Sequence, residues 1–239
     1  MTHPLDNIFW NSLAGPHRRF SAGTDAARRY APGFSPIVGF PDKAHPDFDA
    51  LALACEPGEQ FYIDGWTGAA PEGWSVAFES TMFRMVWDAP MPPADEAPDA
   101  IPLDAGHAAR ALALATRMKP GPFGIRTIEL GDYFAYFDGD RLVAMAGERT
   151  CAEGVREISG VCTDPEYQGR GYARRLTLKL VRRMLLRAET PFLHVMSTNT
   201  AAHRLYQQMG FRDWCETPVR VIVRAPAVPG PAGTGAEAR

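Results

Sequence analysis

The 239-residue sequence predicts an α/β fold built on a mixed sheet. Three observations carry the prediction: a turn at Asp138-Gly139-Asp140 between two apolar runs, apolar residues Leu176, Leu180, Val181 and Met184 at helical spacing, and the apolar run Phe192 to Met196 that follows them. The Asp-Gly turn is hairpin chemistry, because its residues tolerate positive φ. Apolar positions three and four apart make one helix face, which a sheet can cover.

Each element can be justified in order around these anchors. Tyr133 to Phe137 and Arg141 to Ala146 flank the turn as strands, and Arg156 to Thr163 follows as a third. A helix runs from Tyr172 to Arg187, the strand Phe192 to Met196 comes next, and a helix over Ala201 to Met209 is ended by Gly210. Val219 to Val223 closes the series with β-branched residues. Upstream, Asp104 is placed to cap a helix over Gly106 to Met118, with Leu112 and Leu114 among its apolar residues and Pro120 stopping it. Earlier still, Phe61 to Ile63, Trp74 to Phe78 and Met82 to Trp87 read as short strands divided by Gly/Pro loops.

The segment D-A-P-M-P-P-A-D-E-A-P-D-A before Ile101 is rich in Pro and acid and marks a boundary. The expected organisation is an N-terminal unit over 1–90, a linker over 91–100, a main domain over 101–224 and a disordered tail over 225–239, where no apolar residues are available to pack.

Composition narrows the function classes. With 46% hydrophobic residues and a net charge of −3, the chain has a real core and no basic balance of the kind nucleic acid requires. The charge is uneven: residues 1–100 hold 14 Asp/Glu against 6 Lys/Arg, and 101–239 hold 14 against 19. An acidic half favours a cationic partner and a basic half a polyanion. Cys55, Cys151, Cys162 and Cys215 form no C-x-x-C, so neither a metal site nor a disulfide framework is expected. The first twenty residues carry Asp6 and Asn7 where a signal peptide needs an apolar run, and no stretch approaches a membrane span, so a cytoplasmic location is expected.

The stretch richest in chemistry is Asp164 to Ala173, D-P-E-Y-Q-G-R-G-Y-A, between a strand and a helix. Gly169 and Gly171 allow close backbone approach, and the loop amides with the helix N-terminus direct positive partial charge at a phosphate. A dinucleotide fingerprint would put its third glycine at Arg174, and a Walker loop needs Gly-Lys-Ser/Thr; neither is present. The loop does match Q/R-x-x-G-x-G/A through Gln168, Gly171 and Ala173, and downstream F-L-H-V-M, Asn199 and A-A-H-R-L-Y-Q-Q-M-G-F follow in order. Together these resemble the GNAT superfamily of N-acyltransferases over roughly the last half of the chain, and 157–211 is most similar to its glycine N-acyltransferase-like branch.

The resemblance implies a GNAT-type fold, acetyl-CoA as co-substrate, an amine acceptor from a small molecule or protein, and no metal. It implies that Val161, Cys162 and Thr163 lie along the pantetheine arm, with the backbone of Val161 and Thr163 offered to it. Gln168, Gly169, Arg170, Gly171, Tyr172, Ala173 and Arg174 would surround the pyrophosphate, and Asn199 would contact pantetheine, its local alternative being a helix N-cap. Glu157 matches the position of a catalytic glutamate in histone acetyltransferase members, fourteen residues before Gly171, and is expected as general base; its alternative is a solvated residue paired with Arg156. Glu148 is the reserve base, and Tyr206 matches a general acid whose alternative is packing. Cys162 alternates away from Val161 and has no histidine suitably placed to activate it. His194 and His203 read as structural.

An active N-acetyltransferase working by direct attack in a ternary complex is therefore the leading expectation. A catalytically silent acyl-CoA sensor or interaction module is the rival, and a purely structural pairing domain is a third reading. The N-terminal half reads either as a degenerate copy of the same fold or as a substrate-recognition cap. Neither nucleic acid nor membrane is an expected partner, and the oligomeric state is left open.

Overall fold

A computed structural model describes residues 3–226. Its centre is an eight-stranded mixed sheet in the order β4-β11-β5-β10-β9-β8-β7-β6, where β4 is Gln60–Asp64, β5 Trp74–Trp87, β6 Ile101–Pro102, β7 Tyr133–Asp138, β8 Arg141–Ala152, β9 Val155–Thr163, β10 Thr190–Met196 and β11 Phe211–Arg224. Three short strands, β1 (Ser21–Gly23), β2 (Arg28–Tyr30) and β3 (Val38–Gly39), form a separate antiparallel sheet. The helices are α1 (Ile8–Ala14), α2 (Phe48–Ala52), α3 (Ala108–Met118), α4 (Tyr172–Leu186) and α5 (Thr200–Met209).

The hairpin at Asp138-Gly139-Asp140 forms as the turn between β7 and β8, with Gly139 at φ +56°. On α4 the apolar stripe buries fully: Leu176, Leu180, Val181 and Met184 are all 0% exposed against β8, β9 and β10. Each such side chain contributes roughly 1.5–3 kcal/mol by leaving water. The α3 helix ends at Lys119, in the left-handed region at φ 50°, and Pro120 prevents continuation.

Two expectations change. Trp74 to Phe78 and Met82 to Trp87 are one strand, because β11 pairs along nearly its whole length, from Phe211↔Trp87 to Arg224↔Trp74, and so carries the backbone through Glu79-Ser80-Thr81. Val219 to Val223 is the far end of the same long partner. The acidic Pro-rich segment also lies against α4: Lys179 Nζ bonds Asp95 at 2.5 Å and the Ala97 carbonyl at 3.1 Å, and Arg182 Nη1 bonds the Pro92 carbonyl at 2.6 Å. Basic residues of α4 are in this way tied to the preceding chain. Strands β4 and β5 come before that segment and share a sheet with the strands after it, so a division between 1–90 and 101–224 does not divide the sheet. Of the expected tail, residues 227–239 lie outside the described residues.

What positions the site is the one parallel pair among the named strands. Strands β9 and β10 pair only from Val155↔Thr190 to Ile158↔Leu193, after which they part, β10 staying with β5 and β9 with β8. Beyond this fork, Ser159 to Thr163 of β9 and His194 to Met196 of β10 border a wedge.

Candidate active site

Two cavities meet at the fork. A cleft of about 540 Å³ is lined by Val161, Cys162, Thr163, Gln168, Gly169, Gly171, Tyr172, Ala173, Arg174, Asn199 and Tyr206, among others. A second cavity, of about 290 Å³, lies on the β5 and β10 side and is walled by Phe9, Tyr62, Phe78, Met82, Lys119, Gly121, Arg149, His194 and neighbours. Lys119, Pro120, Val161, Asn199, Ala202 and Tyr206 belong to both walls and form the junction.

The loop before α4 has the properties of an anion site. Gly169 and Gly171 adopt φ +75° and +78°, and a Cβ at either would meet nothing within 4 Å, so open space stands in front of the loop. Among the described residues, the amides from Gly169 to Arg174 have no hydrogen-bond acceptor in the protein; the first bonded amide is Arg175, to the Gly171 carbonyl at 3.0 Å. Unpaired amides converging at the start of a fifteen-residue helix attract a pyrophosphate. The buried Thr163 Oγ1, also on the cleft wall, likewise lacks a partner. These orphan donors fit the phosphate and amide groups of a coenzyme A arm. Arg170 lies over the Tyr167 ring, and Arg175 is held by Asp99 at 2.6 Å, so Arg174, 52% exposed, is the helix-start arginine standing on the cleft wall.

Asn199 is the N-cap of α5, accepting from the Ala202 amide at 3.2 Å, while it also stands on both cavity walls. Tyr206 is 9% exposed at the junction, and its hydroxyl has no hydrogen-bond partner among the described residues. Burial pushes its phenol up to about 12, so it holds its proton at neutral pH. The Cys162 thiol is pushed up to about 12 by burial and packs among Ala111, Met145 and Leu142, away from nucleophilic use.

Glu157 is neither solvated nor paired with Arg156. Its carboxylate is 0% exposed and accepts from Arg149 Nε at 3.0 Å and Nη2 at 2.5 Å, from the Thr150 amide at 3.1 Å and hydroxyl at 2.6 Å, and from His194 Nδ1 at 2.8 Å. Burial raises its pKa, but Arg149 and His194 outweigh burial and hold the group well below the usual carboxylate range. It lies behind both walls rather than on either. Arg156 instead forks onto Glu189 at 2.7–2.9 Å. Glu148, the reserve, is 1% exposed, bonded by Arg187 at 2.5 Å, and also stands on neither wall; burial raises its pKa.

The sheet brings one more residue to the site, His194, which reads from the sequence as structural. It stands on the second cavity's wall, paired across the sheet with Arg84, whose Nε donates to His194 Nε2 at 3.0 Å. That bond leaves the proton on Nδ1, where it reaches Glu157. Burial lowers the imidazole's pKa, with Glu157 opposing, so the ring is neutral. Arg84 Nη2 in turn bonds Asp64 at 2.8 Å and Nη1 the Leu5 carbonyl. A row of buried polar groups, Asp64, Arg84, His194, Glu157 and Arg149, thus crosses the sheet from β4 to β8 at the fork. The legible signal was charge inside strands that are otherwise apolar. His203, by contrast, stacks on Phe83 and bonds Asp213 at 2.7 Å, a packing role.

A splayed parallel strand pair with an amide-lined loop at its mouth defines an acyl-coenzyme A binding fold, and the chain belongs to the GNAT acetyltransferase family. The model for the Acetyltransferase (GNAT) family matches residues 111–211. A solved structure of a Novosphingobium aromaticivorans protein assigned to the GNAT family is 32% identical, with a TM-score of 0.85 over 94% of this chain and 100% of that one. Among curated proteins, a mycothiol acetyltransferase from Nocardiopsis dassonvillei is 45% identical over 67 residues, 27% of this chain and 20% of its own length. A [ribosomal protein bS18]-alanine N-acetyltransferase from Haemophilus ducreyi is 30% identical over 79 residues, 33% of this chain and 54% of its own length. The matched stretches span a fifth and about half of these two curated relatives.

Proposed function

We propose that the protein transfers an acetyl group from acetyl-CoA to a primary amine by direct attack, the coenzyme in the loop-lined cleft and the amine in the cavity beside His194. The observation carrying this reading is the junction itself: one cleft ends in unpaired amides, the other cavity is the more enclosed of the two, and Tyr206 and Val161 stand where they meet. Loop amides from Gly169 to Arg174 hold the pyrophosphate, and Thr163 and Asn199 contact the arm. A backbone amide of the β9 wedge donates to the carbonyl oxygen as negative charge develops there. Tyr206 gives its proton to the departing sulfur. An amine enters as ammonium and must lose a proton; both ring nitrogens of His194 are engaged, Nδ1 with Glu157 and Nε2 with Arg84, so the proton leaves to water in the cavity. Glu157, completely enclosed, holds Arg149 and His194 in place instead of taking the proton itself. Phe9, Tyr62, Phe78 and Met82 on the acceptor wall support the substrate-recognition reading of the N-terminal residues. The similarity of 157–211 to the glycine N-acyltransferase-like branch, and a cytoplasmic location, belong to the same proposal.

Calorimetry with acetyl-CoA, followed by thiol release across an amine panel, tests the reading. Binding with amine-dependent thiol release is expected; absence of coenzyme binding refutes it, and binding without release identifies a silent acyl-CoA binder instead.

A further inference from the structure

The acceptor cavity carries a specificity that the family does not fix. Its wall includes two cations, Arg149 and Lys119, and no Asp or Glu. Arg149 is 6% exposed and spends Nε and Nη2 on Glu157, while its buried Nη1 has no partner. An unpaired donor on a buried guanidinium costs free energy unless a ligand supplies the acceptor. The space before it is open for a definite reason: the wall residue Gly121, at φ +128°, has no side chain, and a Cβ built there would stand 3.7 Å from Nη1. Lys119 is two residues away on the same wall segment and makes no ion pair among the described residues. The Glu157 charge behind the wall balances Arg149, and Asp64 balances Arg84, which leaves the Lys119 charge over. The remaining wall is apolar and aromatic, through Phe9, Tyr62, Phe78 and Met82.

Resting on the acetyl-transfer reading above, we infer that the acceptor is a compact amine with an apolar or aromatic body that also carries a carboxylate, received by Arg149 Nη1 and Lys119. The amine end then points to the junction, and the body lies against Phe9, Phe78 and Met82. The acidic balance of residues 1–100 does not reach this wall, so it does not recruit a polycation here; a second positive charge on the acceptor meets Lys119 instead. The volume of about 290 Å³, at the low end for ligand cavities, suits a molecule of amino-acid size.

The test uses the full chain at saturating acetyl-CoA and compares phenylalanine and methionine with their carboxamides, with phenethylamine and with spermidine, following acetylated product by mass and thiol release. The carboxylates are expected to lead their carboxamides in kcat/KM on the order of tenfold or more. Lys119→Gln raises KM for the carboxylate by a clearly larger factor than for the carboxamide. Arg149→Lys keeps the charge facing Glu157 and loses the same discrimination. Equal or better turnover of carboxamides, phenethylamine or spermidine overturns the inference and leaves acetyl transfer standing, as does a Lys119→Gln effect that is equal for both acceptor types. Coenzyme binding without turnover of any amine overturns both readings.

Discussion

Replacing Glu157 by Gln is the sharpest test of the buried polar row. The substitution preserves shape and removes one charge from a carboxylate that is 0% exposed, leaving Arg149 at 6% exposure without its counter-ion. Breaking a buried pair from one side costs about 3–5 kcal/mol, against a typical total stability of about 5–15 kcal/mol. For a chain of this length each kcal/mol moves the midpoint by about 2–4 °C, so a drop of roughly 6–20 °C is expected in calorimetric melting at neutral pH. The double variant Glu157→Gln with Arg149→Gln removes both charges and is expected to regain most of the loss. The penalty is also pH-dependent with a definite sign. Because the folded carboxyl sits well below its ordinary 4.5, the unfolded chain takes the proton first; the wild type loses this contribution as pH falls below about 4.5, and the gap to the variant narrows. A single variant melting within about 1 kcal/mol of wild type, or a double variant no more stable than the single, would refute the claim that the pair is structurally coupled.

Further outcomes concern the junction, the loop and the N-terminal core. Tyr206→Phe is expected to lower kcat by about 10²-fold with KM for acetyl-CoA unchanged, and steady-state kinetics check it. Gly171→Ala meets no steric obstacle but forces φ +78° on an L-residue, so denaturant titration should record a loss of about 1 kcal/mol and kinetics a raised KM for acetyl-CoA. His17, buried against Tyr30 at 2.8 Å, is pulled down to about 4 by burial, with Arg156 adding. Its unfolded form binds a proton from pH 6.5 downward, so stability falls between pH 6.5 and 4 by roughly 3 kcal/mol, and His17→Gln flattens that slope in melts across the window.

The C-terminal elements were readable because their signals are local. Hairpin chemistry at Asp138-Gly139-Asp140, the stripe on α4 and the glycines of the anion loop each act over a few residues, and the structure places them as their spacing requires. The acceptor side was not readable in the same way. Arg84 and His194 are 110 residues apart, and only the antiparallel pairing of β5 with β10 makes them neighbours. Glu157 illustrates the limit: its position in the strand could be matched, but its enclosure by Arg149, Thr150 and His194 depends on three segments meeting. Helix α1, with Leu13 and Ile8 fully buried, and the β1-β2-β3 sheet left no periodic signature long enough to identify.

The pairing of β5 with β11 also bears on how the protein is made. Residues 74–87 acquire one of their two neighbouring strands only from 211–224, more than a hundred residues later. During synthesis at about 5–20 residues per second, the fourteen-residue β5 therefore waits several seconds with that edge unpaired. Such long-range closure makes for slow folding, and the waiting edge is a template for other chains. Ribosome-bound chains halted before Phe211 should accordingly be the aggregation-prone species, and release of the final strand the step that ends the hazard.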